Sequence, residues 1–142
     1  MAEGLSVALP LEVNSIDGAY GVHKDLQSVA RQSLKMLILT APGERIMAPE
    51  FGIGMRRYLF EQNIPGFGAR LKSKVGEQVT KYIPYIRLDN LSVINSKDNN
   101  AINLKISYSI PSVQLSDEFV FPISQWELMK VKYYLPKDGE SL

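Results

Sequence analysis

Ile102-Asn103-Leu104-Lys105-Ile106-Ser107-Tyr108-Ser109-Ile110 is the stretch that decides the fold. Apolar and polar residues alternate in it without a break. That period of two belongs to a strand with one face on a core and one in water. Just upstream, Leu88 to Asn95 reads as a partner strand. Ser96-Lys97-Asp98-Asn99-Asn100 lies between the two, a hairpin turn made of residues that tolerate unusual φ. Downstream, Pro111 ends the central strand, and a third runs from Glu118 to Ile123. Its Phe119, Phe121 and Ile123 fall on one face and Val120 on the other. Pro122 cannot donate to a ladder, so this strand belongs at an edge.

The region before the strands has a helical period. Asp25 can cap a helix in which Leu26, Val29, Ala30, Ser33, Leu34, Leu37 and Ile38 recur at spacings of three and four. Thr40-Ala41-Pro42-Gly43 stops it, since proline lacks the amide and glycine accepts positive φ. A short helical pattern spans Met55 to Glu61. A longer helix opens at Ile64-Pro65 and carries the stripe Phe67, Leu71, Val75, Val79, Tyr82 and Ile83 up to Pro84. Helices come first and antiparallel strands follow, so the class is α+β. Two to three helices pack on a small antiparallel sheet whose C-terminal edge strand is available for a partner. The chain divides into an N-terminal arm, 1–22, a core domain, 23–111, and an edge strand with its tail, 112–142. The arm alternates loosely through Leu5, Val7, Leu9 and Leu11, with a turn at Ile16-Asp17-Gly18-Ala19. The segment 125–135 is apolar and aromatic, with Trp126, Tyr133 and Tyr134, and Pro136 to Leu142 reads as a frayed tail.

Composition narrows the function. The chain has 142 residues, 45% of them hydrophobic and 22% charged, which suits one globular domain with a real core. A net charge of +1 supplies no strong field for nucleic acid or an anionic membrane. Without cysteine there is neither disulfide nor thiolate metal site, and the single histidine, His23, cannot build a histidine-rich one. No apolar run approaches the roughly 20 residues that span a bilayer, and no signal peptide is evident. Neither a cofactor nor a metal is expected.

Candidate catalytic groups read better as structure. Glu44, Glu50 and Glu61 lie in or after the joint between the helices, close to Arg45, Arg56 and Arg57. Arginine pairing lowers a carboxylate pKa, the wrong direction for the general acid of a glycosidase. His23 reads as a surface residue or part of a helix start. Gly-Ile-Gly-Met-Arg after Phe51 follows no strand, so Gly52 and Gly54 belong to tight turns, not a phosphate loop. Arg70, Lys72, Lys74 and Lys81 make a solvated helix face. Met36, Met47 and Met55 are expected to pack in the core or joint. Phe51 and Phe60 should anchor that joint. The aromatic residues of the third strand and tail suit either core packing or a partner.

The joint also carries a family resemblance. Leu39-Thr40-Ala41-Pro42-Gly43-Glu44-Arg45 and Pro49-Glu50-Phe51-Gly52, followed by Leu59-Phe60-Glu61, resemble the small baseplate wedge proteins that start the sheath in contractile phage tails. Related subunits occur in type VI secretion baseplates and tailocins, and some members carry a lysozyme-like label. The resemblance spans roughly residues 20–123. It implies a non-enzymatic structural role in the tail baseplate of a virion assembled in the host cytoplasm. The implied partners are baseplate wedge proteins, tail sheath subunits, and tube or hub proteins. Many members carry Glu-Pro-Arg where the third helix meets the hairpin, a motif that touches the core bundle of neighbouring wedge proteins. Here Ile83-Pro84-Tyr85 keeps the proline without either charge, and Arg87 follows two residues on. The implied joint and wedge contacts are Glu44, Arg45, Glu50, Phe51, Pro84, Tyr85 and Arg87. The implied sheath-binding strand holds Phe119, Val120, Phe121 and Ile123. A cell-wall glycosidase and a host adaptor or regulator on the same fold are the competing functions.

Overall fold

The structure is a computed structural model that describes residues 4–9, 11, 13, 20–58, 65–96 and 101–123. In chain order its elements are β1 (Ser6–Val7), β2 (Val22–His23), α1 (Leu26–Leu39), α2 (Met55–Tyr58), α3 (Phe67–Tyr82), β3 (Arg87–Ser96), β4 (Ala101–Ile110), a 3-10 turn (Pro111–Val113) and β5 (Leu115–Ile123). The class is α+β, as the sequence indicates. The expected turns at 16–19 and 97–100, Phe60 and Glu61, and everything after Ile123 lie outside the described residues.

Each long helix forms where its stripe and cap dictate. The Asp25 carboxylate accepts from the Ser28 amide at 2.8 Å and the Ser28 hydroxyl at 2.6 Å, which satisfies the first turn of α1. The helix buries Ala30, Leu34, Leu37 and Ile38, which share one face through spacings of three and four. It ends at Thr40, whose backbone is extended and whose hydroxyl donates back to the Met36 carbonyl at 2.6 Å. Helix α3 starts at Phe67, a little later than Pro65 suggests, and buries Phe67, Leu71, Val75 and Val79.

The main sheet has the order β3-β4-β5, antiparallel throughout. Leu104 lies opposite Val93 and Phe121, and Ile106 opposite Leu91 and Phe119, so apolar residues meet on one face across all three strands. Leu104, Ile106, Tyr108 and Ile110 are fully buried there, in one cluster with the stripes of α1 and α3. The other face is mostly polar, with Lys105 paired to Glu118 at 2.7 Å and Ile94 and Val120 exposed on it. A bulge between Leu88 and Asn90 shifts the register at the start of β3. Strand β5 begins at Leu115, earlier than the Glu118 start read from the sequence, and among the described residues it is an edge strand, as Pro122 suggests.

Two ties position the flanks. The Arg31 guanidinium on α1 donates to both Asp117 carboxylate oxygens on β5, at 2.6 and 2.9 Å, and the Tyr108 hydroxyl donates to the same group at 2.9 Å. The arm is not a lone extended edge. Its β1 pairs with β2, and Gln32 of α1 clips it by accepting from the Leu9 amide at 3.0 Å and donating to the Val7 carbonyl at 2.9 Å. His23 lies in β2 and meets Gln32 at 2.8 Å, so it is not part of the helix start.

Candidate partner-binding surfaces

The joint between α1 and α2 is a folded loop with its own hydrogen bonds. It turns back along the end of α1, where the Ile53 amide donates to the Leu37 carbonyl at 3.1 Å and the Gly54 amide to the Thr40 carbonyl at 2.9 Å. That return is possible because Gly52 has φ +102. A Cβ there would lie 2.2 Å from the Thr40 carbonyl oxygen. The Gly43 amide donates to the Pro49 carbonyl at 2.8 Å and closes the tip. Gln78 of α3 clamps the far limb, accepting from the Gly52 amide at 3.1 Å and donating to the Glu50 carbonyl at 3.2 Å. Phe51, Ile53 and Met55 are buried beneath it.

The charged groups of the joint have different partners from those the sequence suggests. Glu44 accepts from the Ala41 amide at 3.1 Å, closing the turn that ends α1. Glu50 accepts from Lys81 at 2.6 Å, and that bond holds its carboxyl below the ordinary range. Among the described residues, a backbone amide and a lysine on the last turn of α3 thus take the place of arginine. Arg45 is used otherwise. Its guanidinium lies 4.1 Å from the centre of the Phe51 ring, which meets Tyr82 edge-on at 5.0 Å. Phe51 is the buried anchor that was expected. Met55 is buried as expected, but Met47 is 97% exposed and its neighbour Ile46 93% exposed. The hydrogen bonds that close the tip turn both outward, so Met47 packs on neither core nor joint.

Pro84, Tyr85 and Arg87 lie beyond the C-terminal end of α3. The Tyr85 hydroxyl donates to the Ser33 hydroxyl at 3.3 Å and reaches across to α1. Pro84 and Arg87 line a shallow groove of about 600 Å³ between α3 and the edge strand β3, with Lys72, Gly76, Val79 and Ile86. Glu50, on Lys81, and Phe51, on Tyr82, sit beside that same helix end. Glu50, Phe51, Pro84 and Arg87 thus lie beside α3, whereas Glu44 stays at the end of α1 and Tyr85 reaches α1.

The expected sheath-binding residues divide by face. Phe121 is buried and Phe119 packs partly buried against the core, 6.0 Å edge-on from Tyr108. These rings pack on this domain's own core, because the strand's alternation turns them under α1. Val120 points the other way and is 54% exposed. Ile123 pairs with Ile102 at the end of the ladder. A groove of about 350 Å³ runs beside the strand, with Phe119 and Phe121 against Leu9, His23, Arg31 and Lys35. Lys35 lies 5.4 Å over the Phe121 ring.

Sequence reasoning missed Ile46, Gln78, Lys81 as a partner of Glu50, and Lys35. An apolar pair set between Arg45 and Ala48-Pro49 is the signal that could have marked Ile46 and Met47. The other three contacts join residues 26 or more positions apart and leave no local trace.

Among the described residues the candidate surfaces are thus a folded loop, two grooves and the side of β5 away from β4. The chain belongs to a family: the model of baseplate wedge protein gp25 matches residues 24–114. It is thus a structural component of a tail baseplate, and β5 begins immediately past the matched region. Two solved structures share the fold. One is a crystal structure from Geobacter sulfurreducens, described provisionally as a tail lysozyme. It is 22% identical, with a TM-score of 0.63, over 73% of this chain and 95% of that one. The other belongs to the baseplate of the anti-feeding prophage. It is 20% identical, with a TM-score of 0.58, over 87% of this chain and 90% of that one. At these identities the likeness is one of fold. Comparison with curated proteins finds no match.

Proposed function

We propose that this baseplate subunit links the baseplate to the first sheath ring and starts sheath assembly, with β5 completed by an extended segment of a sheath subunit. The carrying observation is the open side of β5. Among the described residues it bonds to β4 alone, while a groove with an apolar floor lies beside it. An added strand would gain main-chain hydrogen bonds along β5 and seat alternate side chains over Phe119 and Phe121. The groove by Pro84 and Arg87 receives a neighbouring wedge protein, a mainly apolar contact in place of the Glu-Pro-Arg charges of other members. The arm 1–22, the core 23–111 and the segment 112–142 are then three working parts of one subunit.

The subunit works without catalysis. Asp25, Glu50, Asp117 and Glu118 are all held below the ordinary carboxylate range by donors beside them, the opposite of what a general acid needs. Purified protein should leave a peptidoglycan suspension turbid. Hydrogen exchange tests the strand. In the isolated protein, the β5 amides facing away from β4 should exchange fast. They should become protected when sheath protein is added to assembled baseplates. Unchanged exchange in β5 on sheath assembly would remove the proposal.

A further inference from the structure

Ile46 and Met47 are the largest departure from ordinary surface chemistry in the described chain. Two adjacent large apolar side chains are 93% and 97% exposed, on a tip closed by the Gly43–Pro49 and Ala41–Glu44 hydrogen bonds. Their presentation is built into the loop. A pre-ordered apolar pair spends little conformational entropy on docking, the property that makes an interface anchor.

Arg45 specifies the partner's chemistry. Its guanidinium lies over the Phe51 ring, 4.1 Å from the centre, and among the described residues no carboxylate pairs with it. Glu44 and Glu50, which could answer it, are engaged by the Ala41 amide and Lys81. A planar cation held in place with its donors unanswered suits a carboxylate from outside. We infer that the tip Arg45-Ile46-Met47 is a protein-docking anchor: Ile46 and Met47 enter an apolar pocket on a neighbouring baseplate subunit, and Arg45 pairs with an aspartate or glutamate at its rim. The tip is convex, so the partner's surface is concave. This contact is additional to the β5 strand and to the Pro84–Arg87 groove, and it rests only on membership of a baseplate family.

The test uses full-length protein in particles made by the producing strain. Ile46→Ser combined with Met47→Ser should leave the thermal midpoint of the purified protein unchanged and lower its incorporation into particles on the order of 100-fold, read by quantitative mass spectrometry. Arg45→Ala should lower incorporation about tenfold. A photo-crosslinking residue at position 47 in wild-type particles should label one baseplate subunit beside an acidic residue. Normal incorporation of the double variant would overturn the inference. So would a collapsed midpoint, because the pair would then belong to this domain's own packing. Flotation with phosphatidylglycerol vesicles that depends on Ile46 and Met47 would overturn it in favour of a membrane-inserting loop. Failure of the β5 strand proposal leaves these readouts unmoved, since it changes sheath attachment and not incorporation.

Discussion

Gly52 shows how much of the joint depends on a missing Cβ. With φ +102 and the Thr40 carbonyl oxygen 2.2 Å from where a Cβ would sit, Gly52→Ala meets both backbone strain and a backbone clash. The substitution should cost about 3 kcal/mol or more, read from urea midpoints. Phe51→Ala opens a cavity between Arg45 and Tyr82 and should cost about 3–5 kcal/mol. A loss below about 1 kcal/mol would show that the ring is not an anchor. Phe51 was legible in the sequence as a large ring between charge and glycine in a structured joint. The partners of Glu44 and Glu50 were not. Charge crowding along the chain says which ions are near in sequence, whereas Lys81 comes near only when α3 folds back on the joint.

The tie between α1 and β5 governs how the elements respond to acid. Asp117 is held well below the usual carboxylate range, first by the Arg31 hydrogen bond and then by other donors. In the unfolded chain such a group titrates near ~3.9. Its contribution to stability is therefore complete above that pH and is lost as pH falls toward the depressed folded value. Asp117→Asn should flatten the acid limb of a stability-against-pH curve below about pH 5. At pH 7 it should cost about 1–2 kcal/mol, kept modest by the half-exposed Arg31. Urea midpoints at neutral and acid pH measure both effects, and equal pH dependence in the two proteins would refute this role for Asp117. Strand β4 was legible to within one residue, Ala101 being added at its start, because strict alternation has one structural solution. Pro122 correctly marked β5 as an edge. The early start of β5 at Leu115 and the inward turn of Phe119 and Phe121 were not legible. Alternation says that two faces differ, but the placement of α1 decides which face is core.

At the scale of the molecule, α1 and α3 roof one sheet face, and the other carries polar residues with Ile94 and Val120 exposed among them. The outer surface of β5 carries Glu118, paired with Lys105, and Val120, which is 54% exposed. An open strand edge with an exposed valine pairs weakly with another copy unless something blunts it. The isolated protein should therefore show concentration-dependent association in sedimentation equilibrium. Val120→Lys adds a charge on the exposed face, where no core packing is lost, so it should suppress that association at the cost of a small fall in thermal midpoint, because the new charge sits opposite Lys105. Lysine at such a position is how natural edges resist pairing. In particles the same substitution should weaken sheath attachment while leaving the subunit incorporated, because the Ile46–Met47 tip is untouched. Association that persists in Val120→Lys and disappears in the Ile46→Ser, Met47→Ser protein would move the sticky site from β5 to the tip of the joint.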